Sequence, residues 1–233
     1  MDKRVPFKNF QAAKTFAQTE ICKHDSNLAS KFLQVLAYCF QDPDNAGGIS
    51  RLPKLCPRWI ELKAGQFARE RITPPPQITE LFTDPLISEI GESFFEISEI
   101  DTLIEHHKIG MAAEQIIGQL LEEYIASKIE ILGWIWCSGK MIKATDFIKF
   151  PSAKSADIIL LQVKNRSNSE NSSSAKIRAG TKIQKWHRMD AETGATDWTN
   201  FPKILSTGSL SEQDFQDFVA KKVEVWKQEL GMA

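Results

Sequence analysis

The chain has 233 residues, 42% of them hydrophobic and 25% charged, enough to fill the core of one good-sized globular domain and too apolar for a disordered class. Its 29 Lys and Arg against 30 Asp and Glu leave a formal net charge of −1, which excludes a globally basic nucleic-acid binder, so any DNA contact needs a local concentration of cations. Cys22, Cys39, Cys56 and Cys137 form no CxxC pair, MDKRVPFKNF lacks an apolar signal region, and no apolar run approaches the roughly 20 residues of a membrane span. Reduced thiols in a cytoplasmic protein without membrane association are expected.

The first hundred residues read mostly as helices. Phe10, Ala13, Phe16 and Ala17 recur at helical spacing, and Asp25 or Ser26 caps a second helix with the stripe Leu28, Phe32, Leu36 and Phe40. The segment DPDNAGG, Asp42 to Gly48, breaks the pattern. Pro53, Pro57 and Pro74 to Pro76 mark a loop-rich connection anchored by Trp59 and Phe67, with Lys63, Arg69 and Arg71 expected on a solvated face. His106 and His107, adjacent and without a Cys, read as surface or turn residues.

From Met111 the pattern strengthens. MAAEQIIGQLLEEYIASKIEILG carries a broad apolar stripe through Ile117, Leu121, Ile125 and Leu132, closed by Gly133. Glu114, Gly118 and Glu122 lie four apart along one side, so a small residue that permits close packing is flanked by carboxylates. WIWCSGKMIKATDFIKF then gives an extended run over Trp134 to Cys137, a turn at Ser138 and Gly139, and a second run to Phe150.

The third strand, in Ser155 to Arg166 (SADIILLQVKNR), is the most informative stretch. An acidic residue opens the apolar run Ile158 to Leu161, and Gln162, Val163 and Lys164 close it. Alternation places Gln162 and Lys164 on one face with Leu160. Asp157 stands at the strand's start, where a bend can return its carboxylate to them. A carboxylate and an amide oxygen suit a hard cation such as Mg²⁺, and a neighbouring lysine can steady a phosphate or the attacking water. Asp146 is the rival acid, but it lies further from Gln162 and a full strand follows it, so Asp157 is preferred.

Beyond Lys164 the chain turns polar and then basic. Arg166, Asn168, Ser169, Asn171, Ser172 and Ser173 precede Lys176, Arg178, Lys182, Lys185 and Arg188. Asn, Arg and Ser can read base edges while Lys contacts phosphate, which makes this segment the candidate DNA-binding element. At the end, Ser211 and Asp214 form a capping box for a helix with the apolar face Phe215, Phe218, Val219, Trp226 and Leu230.

The pattern resembles the PD-(D/E)XK nuclease superfamily, with Asp157 as first acid, Gln162 where the second acid usually stands, and Lys164 as the lysine. VKNRSNSENSSSAKIRAGTKIQKWHR followed by TDWTNF is similar to the type II restriction endonucleases of the SinI kind, which cut double-stranded DNA at GGWCC; the resemblance covers about Gly110 to Phe218. It implies an α/β fold, a restriction-endonuclease-like core of mixed sheet flanked by helices, with residues 1–76 a helical N-terminal region and 77–233 the catalytic and DNA-recognition domain, or both in one compact domain. It also implies a Mg²⁺ site of Asp157, Gln162, Val163 and Glu122, with Glu114 and Glu123 as rivals to Glu122. A near-palindromic target implies a homodimer. The alternatives are a repair or structure-selective nuclease of the superfamily and a catalytically silent, sequence-specific DNA-binding module.

Overall fold

Ile159–Arg166 (β3) lies inside a mixed sheet of order β1-β2-β3-β4. Trp134–Trp136 (β1) and Phe147–Lys149 (β2) form an antiparallel hairpin, β2 pairs antiparallel with β3, and Ile183–Met189 (β4) runs parallel to β3. The computed structural model describes residues 2–76, 85–95, 99–151, 157–167, 179–202 and 210–232, the side chains at 85, 87, 91 and 92 excepted.

The helices precede and follow this sheet. Phe10–Cys22 (α1) is capped by Asn9, whose side chain accepts from the Ala12 N–H, and Asp25 likewise caps a 3₁₀ turn, Ser26–Leu28, that leads into Ala29–Gln41 (α2). Pro57–Arg69 (α3) is a helix within the stretch expected to be a loop-rich connection. Proline is at home in a helix's first turn, where its missing N–H has no intrahelical partner, and here Pro57 opens the helix while Cys56 Sγ accepts from the Trp59 N–H. Pro85–Ser93 (α4) precedes the 30-residue Ile100–Ile129 (α5), which begins well before Met111 and includes the exposed His106 and His107. Gly133 ends this unit in the left-handed region, φ 83°. Glu229 ends the last helix, Glu212–Glu229 (α6), whose Ser211 cap accepts from the Asp214 N–H at 3.1 Å; Leu230 lies beyond it, exposed.

Strand alternation gives the sheet two apolar faces. Trp134, Trp136, Phe147, Leu161, Val163 and Trp186 pack with Leu121 and Tyr124 of α5 and Phe215 and Trp226 of α6. The TDWTNF segment belongs to this core: Trp186 donates its indole N–H to the Asp197 carbonyl, and Trp198 donates to Glu212 Oε2. Ile135, Ile148 and Leu160 face the other way, against Phe32, Leu36, Trp59 and Phe67 of the N-terminal helices. A polar tie crosses the same junction, where Arg71 donates to Glu130 Oε1 (2.9 Å) and to the Trp136 carbonyl (2.7 Å). The buried Cys39, Cys56 and Cys137 and the exposed Cys22 are all free thiols, and among the described residues no helix is long and apolar enough to cross a membrane.

Each buried aliphatic side chain is worth about 1.5–3 kcal/mol against exposure, so three of them approach the ~5–15 kcal/mol net stability of a typical domain. Residues 77–233 produced alone would bare Ile135, Ile148 and Leu160. Such a fragment should bind a hydrophobic dye and melt without a cooperative transition; a sharp two-state melt would show that the sheet does not need the N-terminal helices.

Candidate active site

The register of the hairpin builds the site. Phe147 pairs with Leu161, so one step further along the same antiparallel register sets Asp146 opposite Gln162. The Asp146 N–H donates to the Leu161 carbonyl at 2.9 Å, and Asp146 Oδ2 accepts the Val163 N–H at 2.7 Å. The carboxylate thus replaces a ladder carbonyl at the point where β2 begins, which fixes its direction.

From the other side α5 contributes Glu122, whose Oε2 accepts the Trp136 indole N–H at 2.9 Å. Glu122, Asp146, Gln162 and Lys164 line one cleft of about 880 Å³, together with Glu70, Trp136, Lys140 and Lys143. Two carboxylates, an amide and an ammonium therefore converge at the sheet's open end.

Their electrostatics are strained without a cation. Burial pushes the Glu122 carboxyl up to about 8, and the Asp146 charge adds to this, while the Trp136 indole N–H and Lys164 pull back. Burial pushes Asp146 up to about 6 against the pull of the Val163 N–H and Lys164. Both carboxyls are thus held above the usual carboxylate range, and a divalent ion bound between them would oppose that rise. Among the described residues no three His, Cys, Asp or Glu side chains cluster as metal ligands; Glu122, Asp146 and the Gln162 amide offer oxygen donors, the kind a hard cation takes.

The expected site residues separate. Gln162, Lys164 and Glu122 line the cleft; Glu123 instead accepts the Thr73 N–H and pairs with Lys222, and Glu114 is an exposed partner of Arg166. Val163 is buried in β3, its N–H held by Asp146. Asp157, expected as first acid, is exposed at the start of β3 and does not line the cleft. It lies in a bend two residues before β3, with the first residues of that strand between it and Gln162. Asp146 lines the cleft, opposite Gln162. The signal was available: a hairpin partner opposite Gln162 is nearer than a residue five places away along the chain.

The DNA-binding set also divides. Arg166 and Lys182 are exposed, and Lys185 is half-buried on β4, paired with Gln162 in register. Arg188 is buried, contrary to a groove-reading role: its Nε donates to Asn165, its Nη1 to Glu212, and its guanidinium lies over the Phe215 ring. Asn168, Ser169, Asn171, Ser172, Ser173, Lys176 and Arg178 lie outside the described residues.

The profile of the SinI restriction endonuclease family matches residues 12–225. The chain belongs to that family, whose members are type II site-specific deoxyribonucleases. The type II restriction enzyme Eco47I of Escherichia coli is 39% identical over 214 residues, 89% of this chain and 92% of that protein. The type II restriction enzyme SinI of Salmonella infantis is 44% identical over 162 residues, 69% of this chain and 70% of that one. The family match begins near the N-terminus, so the helical region that carried no resemblance by itself belongs to the family too.

The raised carboxyls set a stability trend. A group whose folded pKa lies above its unfolded value contributes stability below the unfolded value and loses it as pH rises through the folded one. Metal-free protein should therefore weaken as pH climbs from about 4 through about 6 and about 8. Glu122→Gln keeps an acceptor for Trp136 and removes the charge, so in EDTA at pH 8 it should be more stable than the parent by about 2 kcal/mol. That is roughly 5 °C in thermal denaturation for a chain of this size, shrinking to nothing at pH 4. An equal or lower melting temperature at pH 8 would contradict the charge strain at this site.

Proposed function

We propose that this family member is a Mg²⁺-dependent endonuclease that hydrolyses phosphodiester bonds of double-stranded DNA at a short palindromic site, GGWCC as the resemblance implies, acting as a homodimer in the cytoplasm. The observation that supports it is the convergence of Glu122, Asp146, Gln162 and Lys164 on one cleft, in a chain whose relatives are named type II restriction enzymes.

In this reading Asp146, the Gln162 amide oxygen and Glu122 hold the cation, and Asp146 takes the role expected of Asp157. When bound, the ion lowers the pKa of its water and neutralises charge on the phosphate under attack. Asp146 keeps its direction through the Val163 N–H, and Glu122 through the Trp136 indole. Lys164, on the same face of β3 as Gln162, holds its ammonium toward the scissile phosphate and the water. Gln162 brings an oxygen donor without a charge, so the donor set carries two negative charges, about what one divalent ion balances. Arg166, exposed two residues beyond Lys164 at the end of β3, contacts DNA beside the cleft, whereas the exposed Lys182 precedes β4 at the opposite end of that parallel pair.

Purified protein incubated with plasmid, with Mg²⁺ and with EDTA, and sequencing of the fragment ends test this. The expected result is discrete Mg²⁺-dependent fragments ending at GGWCC, with Asp146→Ala and Lys164→Ala each slowing cleavage by at least about 10²–10³-fold, and Asp157→Ala cutting at the parental rate. A smear without site preference would indicate a structure-selective or repair nuclease. Normal cutting by Asp146→Ala would remove the residue from the site, and a specific gel shift with no cutting at any Mg²⁺ concentration would indicate a silent binder.

A further inference from the structure

The loop from Cys137 to Asp146, which delivers the first acid of the cleft, also carries Lys140 and Lys143 on the cleft wall. Neither has an ion-pair partner among the described residues. A third ammonium stands beside them: Lys54 Nζ donates to the carbonyls of Pro43 (2.9 Å) and Asp44 (3.0 Å), and burial together with the neighbouring Lys143 holds its pKa below the usual lysine range.

The loop is held by its backbone. Lys63, 2% exposed, donates to the carbonyls of Gly139 (2.7 Å) and Lys140 (3.0 Å). Ser138 Oγ donates to the Phe67 carbonyl at 2.7 Å, the Gly47 N–H to Met141, and the Lys143 N–H to Asn45. Gly47 lies so close that a Cβ there would stand 1.8 Å from the Lys140 carbonyl oxygen. Lys140 and Ala144 both sit at φ 50°, a conformation uncommon for residues with a side chain and retained where surroundings impose it. So the main chain is spent on anchoring, and the Lys140 and Lys143 side chains, the latter beside the Lys54 ammonium, stand on the wall of the cleft that contains Lys164. Lysines on an anchored loop, outside any ion pair among the described residues and beside a phosphodiester-cleaving centre, match the duplex backbone, whose charges recur along its whole length.

We propose that Lys140 and Lys143 form a phosphate clamp on the β1–β2 loop, gripping the DNA backbone next to the scissile bond, and that the N-terminal helices serve to hold that loop. This rests on the nuclease reading and deepens it. Such contacts position the duplex and carry no sequence information.

The test is DNA binding in EDTA by fluorescence anisotropy, over a series of KCl concentrations, with a duplex containing GGWCC and a scrambled duplex of equal length. Lys140→Gln and Lys143→Gln keep the anchoring backbone groups, and circular dichroism checks the fold. Each should weaken binding by the same factor on both duplexes and reduce the slope of log affinity against log salt by about 0.9, the double variant by about 1.8; Lys14→Gln on α1, outside the cleft, should change neither. Unaltered slopes in the variants, with a parent protein that binds and cuts, would overturn the clamp alone. A loss confined to the GGWCC duplex would overturn it in favour of base reading. If the parent binds neither duplex, the nuclease reading falls and the clamp with it.

Discussion

The hydrogen bond from the Val163 N–H to Asp146 Oδ2, 2.7 Å long, is the constraint around which the cleft is arranged. A carboxylate standing in for a ladder carbonyl has its orientation set by the sheet itself, a more exact support than a loop side chain finds alone. The same bond draws the acid to within reach of Gln162 and Lys164 and sets it near Glu122; burial raises both carboxyls, and the Asp146 charge raises Glu122 further. That rise favours a cation. The site is therefore less comfortable without metal than its neutral variants would be, as sites shaped for function commonly are.

What keeps Asp146 there is a fold with cores on both sides of the sheet. Aromatic side chains of α5, α6 and the TDWTNF segment fill one side, and α1 to α3 cover the other. A buried lysine is uncommon because desolvation disfavours its charge, and the Lys63 pKa is lowered chiefly for that reason. Here two carbonyls and the face of Trp59 receive the ammonium, and through it α3 holds the turn of the catalytic hairpin. The N-terminal region thus takes part in the site through the loop it fixes.

Much of this was legible in the sequence, and the exceptions have physical causes. Helices with a wide apolar stripe, α2 and the second half of α5, and β3 with its run of Ile and Leu, carry their periodicity on the surface of the text. The prolines around α3 concealed a helix because Pro57 starts one as readily as it ends one. The last strand, β4, reads IQKWHRM, and with only Trp186 and Arg188 buried its alternation looked like a basic DNA-reading stretch. Lys63, expected on a solvated face, and Arg188, expected to contact DNA, are buried against a carbonyl and a carboxylate from elsewhere in the chain, which sequence does not show. Proximity along the chain favours Asp157, whereas the antiparallel hairpin makes Asp146, far from Gln162 in sequence, its neighbour in space.

A crystal structure with a target duplex and Mn²⁺ in place of Mg²⁺, with the metal located by its anomalous scattering, addresses the central claim most directly. The account predicts a metal peak bonded to Asp146, with Glu122, Gln162 and Lys164 around it and Asp157 exposed and remote. A metal bonded to Asp157, or a cleft in which Asp146 remains a purely structural partner of Val163, would contradict it.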